Sequence, residues 1–386
     1  SVSSTSTTVN AIGASNSLTT RATNTPGVDN NTIQNNRIIG GYYGVYFYGG
    51  TGNLQSGNKI LNNIIDSTYN SGVYAYYVDN TEISGNTIDL NSRANINADG
   101  MYLWYGSNYT ISANRVNAPD AGIYLYEAST AVGTKTKKTE IINNMIVSAD
   151  DYGVYLYSVD SLNMFHNSIV THGPSATSLP AIYIGMSTAY PIDDYDFRNN
   201  IFYAANSEAM ELVTAVDTIF IKFDNNIYYT GGATTFRMTN TNYSDLAAYQ
   251  VASPSFNSAS LQGDPLFYSS NDLRLLGTLA NDVGDNSLGI LVDIDGDVRP
   301  GGGATAVDIG ADEYTPASCS PPLNSGSVNP SLDSITIFWN GVGTQFQYEI
   351  VLAGATQGTG VSAFVSTDSI RVGGLAASTQ SVSYTH

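Results

Sequence analysis

Basic residues and cysteine are scarce in this 386-residue sequence. Only 14 Lys and Arg stand against 33 Asp and Glu, and the resulting net charge of −19 repels nucleic acid and anionic membranes, so no nucleic-acid partner is expected. The single Cys319 cannot form a disulfide within the chain. No histidine pattern accompanies it, so we expect a thiol that is unpaired or paired outside the chain, and not a nucleophile.

The sequence also lacks a long apolar run, which excludes a transmembrane segment and predicts a soluble protein. It opens on SVSSTSTTVN, without an initiating Met or a basic and apolar leader, so we expect a processed or internal N-terminus. Against so few basic residues, the 28 Tyr and 37 Gly are typical of a β-rich extracellular protein.

The pattern apolar-x-x-Asn-x-apolar recurs along the chain, with a mean interval of about 27 residues. That interval suits one solenoid coil of several short strands per repeat, so eight coils are predicted. An Asn at the same tight turn of every coil tolerates the left-handed conformation, and its amide bonds the Asn above and below. The predicted ladder comprises Asn36, Asn63, Asn86, Asn114, Asn144, Asn167, Asn200 and Asn226.

A second repeat, Gly-apolar-Tyr-apolar-aromatic, lies between the Asn motifs, as in Gly44–Tyr48 and Gly153–Tyr157. Its strict alternation predicts a strand with aliphatic side chains inward and aromatic side chains outward. The next two coils carry Glu211 and Arg237 outside, so the aromatic face ends near residue 185. The outward set is Tyr46, Tyr48, Tyr74, Tyr76, Tyr102, Trp104, Tyr124, Tyr126, Tyr155, Tyr157 and Tyr183.

These two repeats resemble the right-handed parallel β-helix superfamily, which includes pectate lyases, polygalacturonases and many surface proteins. The resemblance covers about residues 31 to 314, with a lead-in over 1–30, coils over 31–239 and a cap over 240–314. The segments Gly263–Phe267, Asp293–Pro300 and Asp308–Tyr314 look like the closing part of secreted bacterial β-helix proteins. The resemblance implies that this part covers the open end of the solenoid.

A change of composition at 315–322 predicts a linker, and residues 323–386 resemble an incomplete fibronectin type III module. Ser334–Trp339 looks like the strand with the core Trp, Phe346–Ile350 like its partner, and Gly374-Leu375 like the start of a tyrosine corner that has Ser381 in place of Tyr. The sequence ends at His386, before a final strand could form. Such modules occur on surface proteins exported by the type IX secretion system, so the resemblance implies an extracellular or cell-surface location.

The outward aromatic side chains form the most informative functional pattern. Six rungs about 4.8 Å apart give a strip of roughly 24 Å. Cross-strand stacking that only stabilises the sheet is one interpretation. The other is a recognition surface, because sugar rings stack on aromatic rings and related enzymes lay polysaccharide along a sheet face. Protein contact is a third.

Acidic residues lie beside this strip. Asp120 and Asp151 each stand two residues before the glycine of their strand, with Asp99, Asp150 and Glu127 near them. This placement predicts an acid and base pair at Asp120 and Asp151, a calcium site at Asp99, Asp120 and Asp151, or merely solvated turn acids. Asp293, Asp295 and Asp297 alternate as in calcium loops but lack the distal Glu.

A polysaccharide lyase needs a basic residue to remove a ring proton. The available candidates are Arg93, Arg115, His166 and His172, whereas Lys135, Lys137 and Lys138 lie in an inserted loop that favours solubility. None of them sits in a known lyase or polygalacturonase motif.

The sequence thus favours a cell-surface β-helix protein that presents an aromatic face for adhesion or glycan binding. A polysaccharide lyase or glycoside hydrolase is the first alternative, and a structural stalk is the second. No cofactor beyond calcium is expected. Asp160, Asp217, Asp333 and Asp368 begin Asp-Ser/Thr-apolar motifs that resemble bacterial glycosylation acceptors.

Overall fold

A computed structural model provides the structure of the chain. The structure describes residues 10–13, 28–92, 95–127, 137–173, 179–187, 190, 192, 194–213, 221–301, 304–314, 323–328, 333–340, 346–352, 361–365, 369–373 and 381–385. Of these, only the backbone is described in residues 323–328, 339–340, 346–352, 361–365 and 381–385. Arg93, Lys135, Cys319, Asp217, Asp368, the linker and Gly374-Leu375 lie outside them.

Residues up to Tyr314 form one compact unit, built on three long sheets of short strands. Each coil contributes one strand to each sheet, and neighbouring coils pair in parallel, so the predicted parallel β-helix is confirmed. We name the sheets by their outer faces.

The tyrosine sheet consists of β1 (Asn10–Gly13), β4 (Tyr43–Tyr48), β8 (Ser71–Tyr76), β12 (Asp99–Trp104), β15 (Ile123–Tyr126), β18 (Val154–Tyr157), β21 (Ile182–Gly185), β24 (Met210–Leu212), β27 (Phe236–Met238) and the antiparallel β28 (Thr241–Tyr243). The polar sheet consists of β2 (Thr32–Gln34), β6 (Lys59–Leu61), β10 (Glu82–Ser84), β13 (Thr110–Ser112), β16 (Thr139–Ile142), β19 (Leu162–Phe165), β22 (Tyr195–Arg198) and β25 (Ile221–Asp224). The arm sheet consists of β3 (Arg37–Ile39), β7 (Ile64–Asp66), β11 (Thr87–Asp89), β14 (Arg115–Ala118), β17 (Met145–Ser148), β20 (Ser168–Thr171), β23 (Ile201–Ala204), β26 (Ile227–Thr230) and β29 (Leu261–Gln262). A short pair, β5 (Gln55–Ser56) with β9 (Val78–Asp79), lies between two coils.

The asparagine ladder holds successive coils in register at the turn between the polar and arm sheets. Each ladder Nδ2 donates to the Oδ1 of the next Asn at 2.9 to 3.1 Å, from Asn36 through to Asn226. The same Oδ1 also accepts the backbone N–H of the preceding ladder Asn. Ser260 closes the series, because its Oγ accepts from Asn226 N at 3.0 Å. The predicted ladder is confirmed.

The backbone of the ladder differs from the expectation, because the left-handed residue is the one before each ladder Asn. Asn35, Asn62 and Asn143 have φ values of 57°, 54° and 54°. The turn therefore needs positive φ one position earlier, which leaves the ladder amide free to point along the solenoid axis. The prediction that the ladder Asn itself is left-handed is wrong.

The alternation predicted for the tyrosine sheet holds on the inward side, where Val45, Val73, Met101, Ile123, Val154 and Ile182 are buried. In five of these strands, a glycine at the start of the strand packs closely against an arm-sheet side chain. A Cβ on Gly122, for example, would lie 2.2 Å from Ile146 Cγ2 and 2.6 Å from Gly153 O. A side chain at Gly122 would therefore push the neighbouring strands apart.

The expected cap is divided into two parts with different positions. β28 and α1 (Leu246–Ala252) cover the end of the solenoid, where Leu246 and Tyr249 join the core and Tyr249 stacks on Phe236 at 5.0 Å. After β29 the chain turns back, and residues 263–314, which we call the arm, pack on the outer face of the arm sheet. The arm includes a 3-10 turn, Asn286–Leu288. Covering the open end is thus the role of only the first part.

Apolar contacts and a buried ion pair fix the arm. Leu273, Ile294 and Ala311 pack on Met145, Val147 and Val170, and Leu275, Ala280 and Ile309 pack on Ile201 and Ile227. Arg299 is buried and pairs with Glu313 at 2.9 Å. The later arm-sheet strands are apolar on both faces because both faces are covered.

Residues Thr315–His386 form a second compact unit, which contains two three-stranded antiparallel sheets in its described part. One sheet has the order β30 (Leu323–Val328), β31 (Ile335–Asn340), β34 (Ser369–Val372), and the other β33 (Val361–Val365), β32 (Phe346–Leu352), β35 (Ser381–Thr385). The two strands expected to be partners, β31 and β32, lie in different sheets. The strand β35, which begins at Ser381, pairs with β32.

Among the described residues, no helix has the length and apolar character needed to span a membrane.

We predict that Asn144→Ala lowers the free energy of unfolding by about 3 to 5 kcal/mol, because it leaves the backbone and side-chain donors of Asn114 buried without an acceptor. Asn36→Ala, at the exposed start of the ladder, is the matched control and should cost about 1 kcal/mol or less. Denaturant unfolding of both variants measures the difference. Equal losses would show that the interior ladder adds nothing to the turn itself.

Candidate functional site

The outer face of the tyrosine sheet carries a column of stacked rings along the solenoid axis. Register places one Tyr of each strand above the next, and the centroid distances are 4.2 to 5.3 Å with interplanar angles of 3° to 16°. The rings therefore cover one another's faces, and their edges and hydroxyl groups point outward. The column contains Tyr46, Tyr74, Tyr102, Tyr124, Tyr155 and Tyr183.

A second column runs beside the first and contains one ring of different orientation. Tyr48 stacks on Tyr76 at 12°, and Tyr126 on Tyr157 at 1°. Trp104 stands between these pairs, turned by 69° from Tyr76 and by 71° from Tyr126. We call the two columns together the aromatic strip. Within it, the half-buried Trp104 is the ring that has no parallel ring stacked on either face. Stacking of sugar rings on the aromatic side chains, one interpretation of the sequence, stays a prediction.

One predicted member of the strip is not at the surface. Tyr46 is 0% exposed, enclosed by Tyr43, Tyr48 and Tyr74 among other neighbours, so it contributes to packing and not to a binding surface. The other predicted aromatic residues are half-buried: Tyr48, Tyr74, Tyr76, Tyr102, Trp104, Tyr124, Tyr126, Tyr155, Tyr157 and Tyr183.

Sequence reasoning missed aromatic residues at both long edges of the strip. Tyr152 contacts Tyr155 and Tyr183 with centroids 4.9 and 5.1 Å away. Tyr77 and Tyr105 stack on each other at 5.1 Å on the opposite edge. The available signal was the position of Tyr152 directly before the strand glycine and of Tyr77 and Tyr105 directly after the strand.

The phenol groups of Tyr76, Tyr102, Tyr124 and Tyr155 are uncharged at neutral pH. Burial, reinforced by Tyr48 and other neighbouring phenols, raises the pKa of Tyr76 to about 12. Burial also raises the pKa values of Tyr102, Tyr124 and Tyr155 above the usual range. The strip therefore offers neutral hydroxyl groups that both donate and accept hydrogen bonds.

The three predicted acids come together along one long edge of the strip. Asp99 is the first residue of β12, and Asp120 and Asp151 lie in the turns that precede β15 and β18. The Ser148 hydroxyl holds the two turns together, 2.6 Å from Asp120 O and 2.8 Å from Asp151 O. Asp120 N–H donates to Ala98 O at 3.2 Å, which ties its turn to the coil of Asp99.

Burial and mutual repulsion keep protons on this cluster. Burial, with repulsion from Asp120 and Asp151, raises the pKa of Asp99 well above its usual range. Burial and Asp151 raise the pKa of Asp120 to about 7, and a hydrogen bond joins the two carboxyl groups. Burial also raises the pKa of Asp151. Asp120 is therefore partly protonated near neutral pH.

This contact bears on the catalytic alternative. Glycoside hydrolases hold two carboxyl groups about 5 to 9.5 Å apart, with the sugar or a water between them. Asp120 and Asp151 interact through their side chains, so a two-carboxylate mechanism would require room for a sugar or a water between them.

The described basic candidates do not reach the strip. Arg115 pairs with Asp295 of the arm at 2.7 Å, and His172 Nε2 lies 2.8 Å from Ser270 O. His166 is buried beside Asn199, and burial lowers its pKa well below the usual range. Lys138 pairs with Asp194 at 2.7 Å, and Lys137 donates to Thr110. Each of these groups already has a structural partner.

The acids expected to form a calcium loop in the arm also have partners. Asp293 Oδ1 accepts the backbone N–H groups of Asp295 and Asp297, both at 2.8 Å, and Asp293 Oδ2 accepts from Glu313 N. Within the described residues, three acidic oxygens converge to within 4.8 Å of one another at Asp293, Asp295 and Asp312. Asp312 Oδ2 accepts from Leu275 N at 2.7 Å, so the carboxylates stabilise the arm's turns.

The raised pKa of Asp120 predicts a pH dependence of stability. A carboxyl group whose pKa is higher in the folded state than in the unfolded state binds its proton more tightly when the chain is folded. The resulting stabilisation is complete below the unfolded-state pKa of about 3.8 and is lost as the pH rises to about 7. Relative to Asp120→Asn, the wild type should lose about 1 to 2 kcal/mol between pH 4 and 7, after allowance for the partial exposure of Asp120. Denaturant unfolding across this range measures it, with the exposed neighbour Asp150→Asn as the charge-matched control. A difference that does not change with pH would contradict the raised pKa of Asp120.

Comparison with known proteins addresses the fold and not the activity. Residues 16–189 match the family described as "Right handed beta helix region". No curated protein and no solved structure matches the chain. The matched segment contains the whole aromatic strip and the acidic cluster, and the three parallel sheets continue the same coil beyond it. The chain therefore has a right-handed parallel β-helix fold.

Proposed function

We propose that this chain is an extracellular binding protein that holds an extended glycan along the aromatic strip. The observation that carries the proposal is the geometry of the outer face of the tyrosine sheet. Neutral hydroxyl groups recur there once in each coil, beside Trp104, whose ring is turned relative to its neighbours. A ligand with hydroxyl groups at regular intervals matches such a surface.

The other two faces of the solenoid support this choice. The arm covers much of the arm sheet. The polar sheet points outward with alternating charges such as Lys59 and Glu82, which pair with each other at 2.7 Å. The tyrosine sheet combines a flat surface, partial exposure and aromatic side chains.

A repeating polymer suits the strip better than a folded protein partner does. Protein interfaces require a varied and complementary surface with a buried apolar centre. The strip instead repeats one chemical group along one axis, with ring edges rather than ring faces exposed. Trp104 supplies a face for a single sugar ring, and the surrounding hydroxyl groups supply orientation.

The location and the second unit belong to the same proposal. A secreted or surface-attached protein would carry the glycan-binding solenoid on a fibronectin-like spacer, with export by type IX secretion. The resemblance of residues 323–386 and of the arm to parts of such proteins supports this proposal.

We predict that Trp104→Ala weakens glycan retention at least tenfold, which is about 1.4 kcal/mol, because it removes the ring face. The double variant Tyr124→Phe/Tyr155→Phe should also weaken retention while the stacked rings remain. Affinity electrophoresis of the full chain in a panel of soluble plant, algal and microbial glycans measures both.

The matched control is Tyr203→Phe/Tyr229→Phe, a stacked pair at 4.5 Å on the arm sheet. Retention that is unchanged in the strip variants would refute the strip as the binding surface. New reducing or unsaturated ends in the recovered glycan would favour the enzymatic alternative.

A further inference from the structure

The left-handed residues that precede the ladder Asn form a second row along the solenoid, and part of this row fastens the arm. Asn143 and Asn225 each donate from Nδ2 to a backbone carbonyl of the arm, at 2.8 and 3.4 Å. Asn199 binds both backbone groups of one arm residue: its Oδ1 accepts from Asp285 N at 2.8 Å, and its Nδ2 donates to Asp285 O at 3.1 Å. Three of four neighbouring coils therefore hold the arm through an Asn amide.

His166 occupies the remaining position of this row. Its φ of 54° is close to the values of Asn143 and Asn199, 54° and 59°, so the backbone is the same and only the side chain differs. The imidazole is 1% exposed and lies near Arg299 of the arm, which is itself 3% exposed. An ionisable ring thus stands where the neighbouring coils have a neutral amide. We call Asn143, His166, Asn199 and Asn225 the clasp.

The contacts of Asn199 determine which ring nitrogen of His166 carries the hydrogen. Only one orientation of the Asn199 amide satisfies both backbone groups of Asp285, so Nδ2 is the atom that faces His166 Nε2 at 3.0 Å. Because Nδ2 is a donor, Nε2 accepts, and the neutral ring carries its hydrogen on Nδ1. Nδ1 is buried and has no hydrogen-bond partner of normal geometry among the described residues.

The surroundings of the ring leave no place for a second hydrogen. A hydrogen on Nε2 would point at the Nδ2 donor of Asn199. The carbonyl groups of Asp308 and Gly310 face the ring, but both already accept from Arg299, at 3.3 and 2.8 Å. An imidazolium would also place a second buried positive charge beside the guanidinium of Arg299.

From this geometry we infer that the arm is held by a proton-sensitive clasp, which releases the arm from the solenoid when His166 takes up a second proton. Rotation of the Asn199 amide cannot relieve the conflict, because it would break both bonds to Asp285. Detachment of the arm removes Arg299 and frees the Asn199 amide to turn. The asparagine ladder does not depend on these contacts and stays intact.

Release of the arm would uncover an apolar surface. Met145, Val147 and Val170 on the arm sheet are buried under the arm. This surface belongs to a different sheet from the aromatic strip, so the clasp and the glycan-binding proposal stand or fall separately.

The charges around His166 give the direction of the pH dependence. Burial and the charge of Arg299 lower the pKa of His166 well below its usual value of 6.5. A base whose pKa is lower in the docked state stabilises docking fully above pH 6.5, and this contribution is lost as the pH falls. Glu313 pairs with Arg299 at 2.9 Å, and Asp285, which acts on the ring from the arm, pairs with Arg198 of the solenoid at 2.6 Å. These acids are already engaged by arginines.

Two other arm acids have the opposite pH dependence. Burial raises the pKa of Asp308 to about 7 and that of Asp312 to about 6, so both stabilise the fold at low pH and lose this contribution as the pH rises. A comparison that changes His166 alone removes their effect, because they are present in both proteins.

The test variant is His166→Asn, which puts at this position the residue that Asn143 and Asn199 show to be compatible with its backbone. Hydrogen exchange of the full chain, followed by mass spectrometry from about pH 7 to about pH 5, measures opening of the arm and of the ladder strands separately. Relative to the variant at the same pH, arm opening in the wild type should rise about tenfold for each pH unit below about 6.5, because opening takes up one proton. A constant offset between the proteins comes from lost packing, and the slope is the quantity of interest.

Two results in this comparison would overturn the clasp. One is an equal acid sensitivity of the arm in the wild type and in His166→Asn. The other is exchange of the ladder strands together with the arm, which would mean that the solenoid unfolds as a whole. Nitrogen NMR of the wild-type histidine rings at neutral pH is a check that does not depend on the variant. A hydrogen on Nδ1 of His166 is expected, and a hydrogen on Nε2 would contradict the proposal.

Discussion

Parallel pairing between successive coils is the constraint on which the rest of this protein depends. Each coil satisfies its backbone groups only by bonding to the coils above and below, so the same position of every coil must lie on one line. The asparagine ladder fixes that line at one corner. Once the corner is fixed, the tyrosines of the opposite sheet can only lie above one another, and their stacking follows from the register.

The stacking in turn decides which chemistry the surface offers. A tyrosine that projects alone presents two ring faces, whereas a tyrosine in the column presents an edge and a hydroxyl group because its neighbours occupy both faces. The interruption at Trp104 is therefore the chemically distinct point of the strip. The acids at the edge follow the same logic, since turns of successive coils place Asp120 near Asp151 and burial raises the pKa of both carboxyl groups.

The repeats allowed the coil, the ladder and the two faces of the tyrosine sheet to be predicted from sequence, because each is encoded within one period. The arm position was not predicted, since it depends on contacts between residues far apart in sequence. The sequence did contain a signal for the arm. Met145–Val147 and Ile227–Tyr229 are continuous apolar runs, whereas the corresponding strands of earlier coils alternate between apolar and polar residues. The orientation of Trp104 and the burial of Tyr46 depend on side-chain rotamers and neighbours that no spacing specifies. The left-handed residue before each ladder Asn was missed because its identity varies between Asn, Gly, Ala and His.

The tyrosine column repeats at a fixed interval along the solenoid axis. The interval is set by the spacing of parallel strands, about 4.8 Å, and not by loops that sequence change readily alters. Gain or loss of one whole coil would lengthen or shorten the column by one interval and leave the remaining tyrosines in place. Ligand length could thus evolve by duplication of coils, separately from ligand chemistry, which would evolve at the turns along the edge.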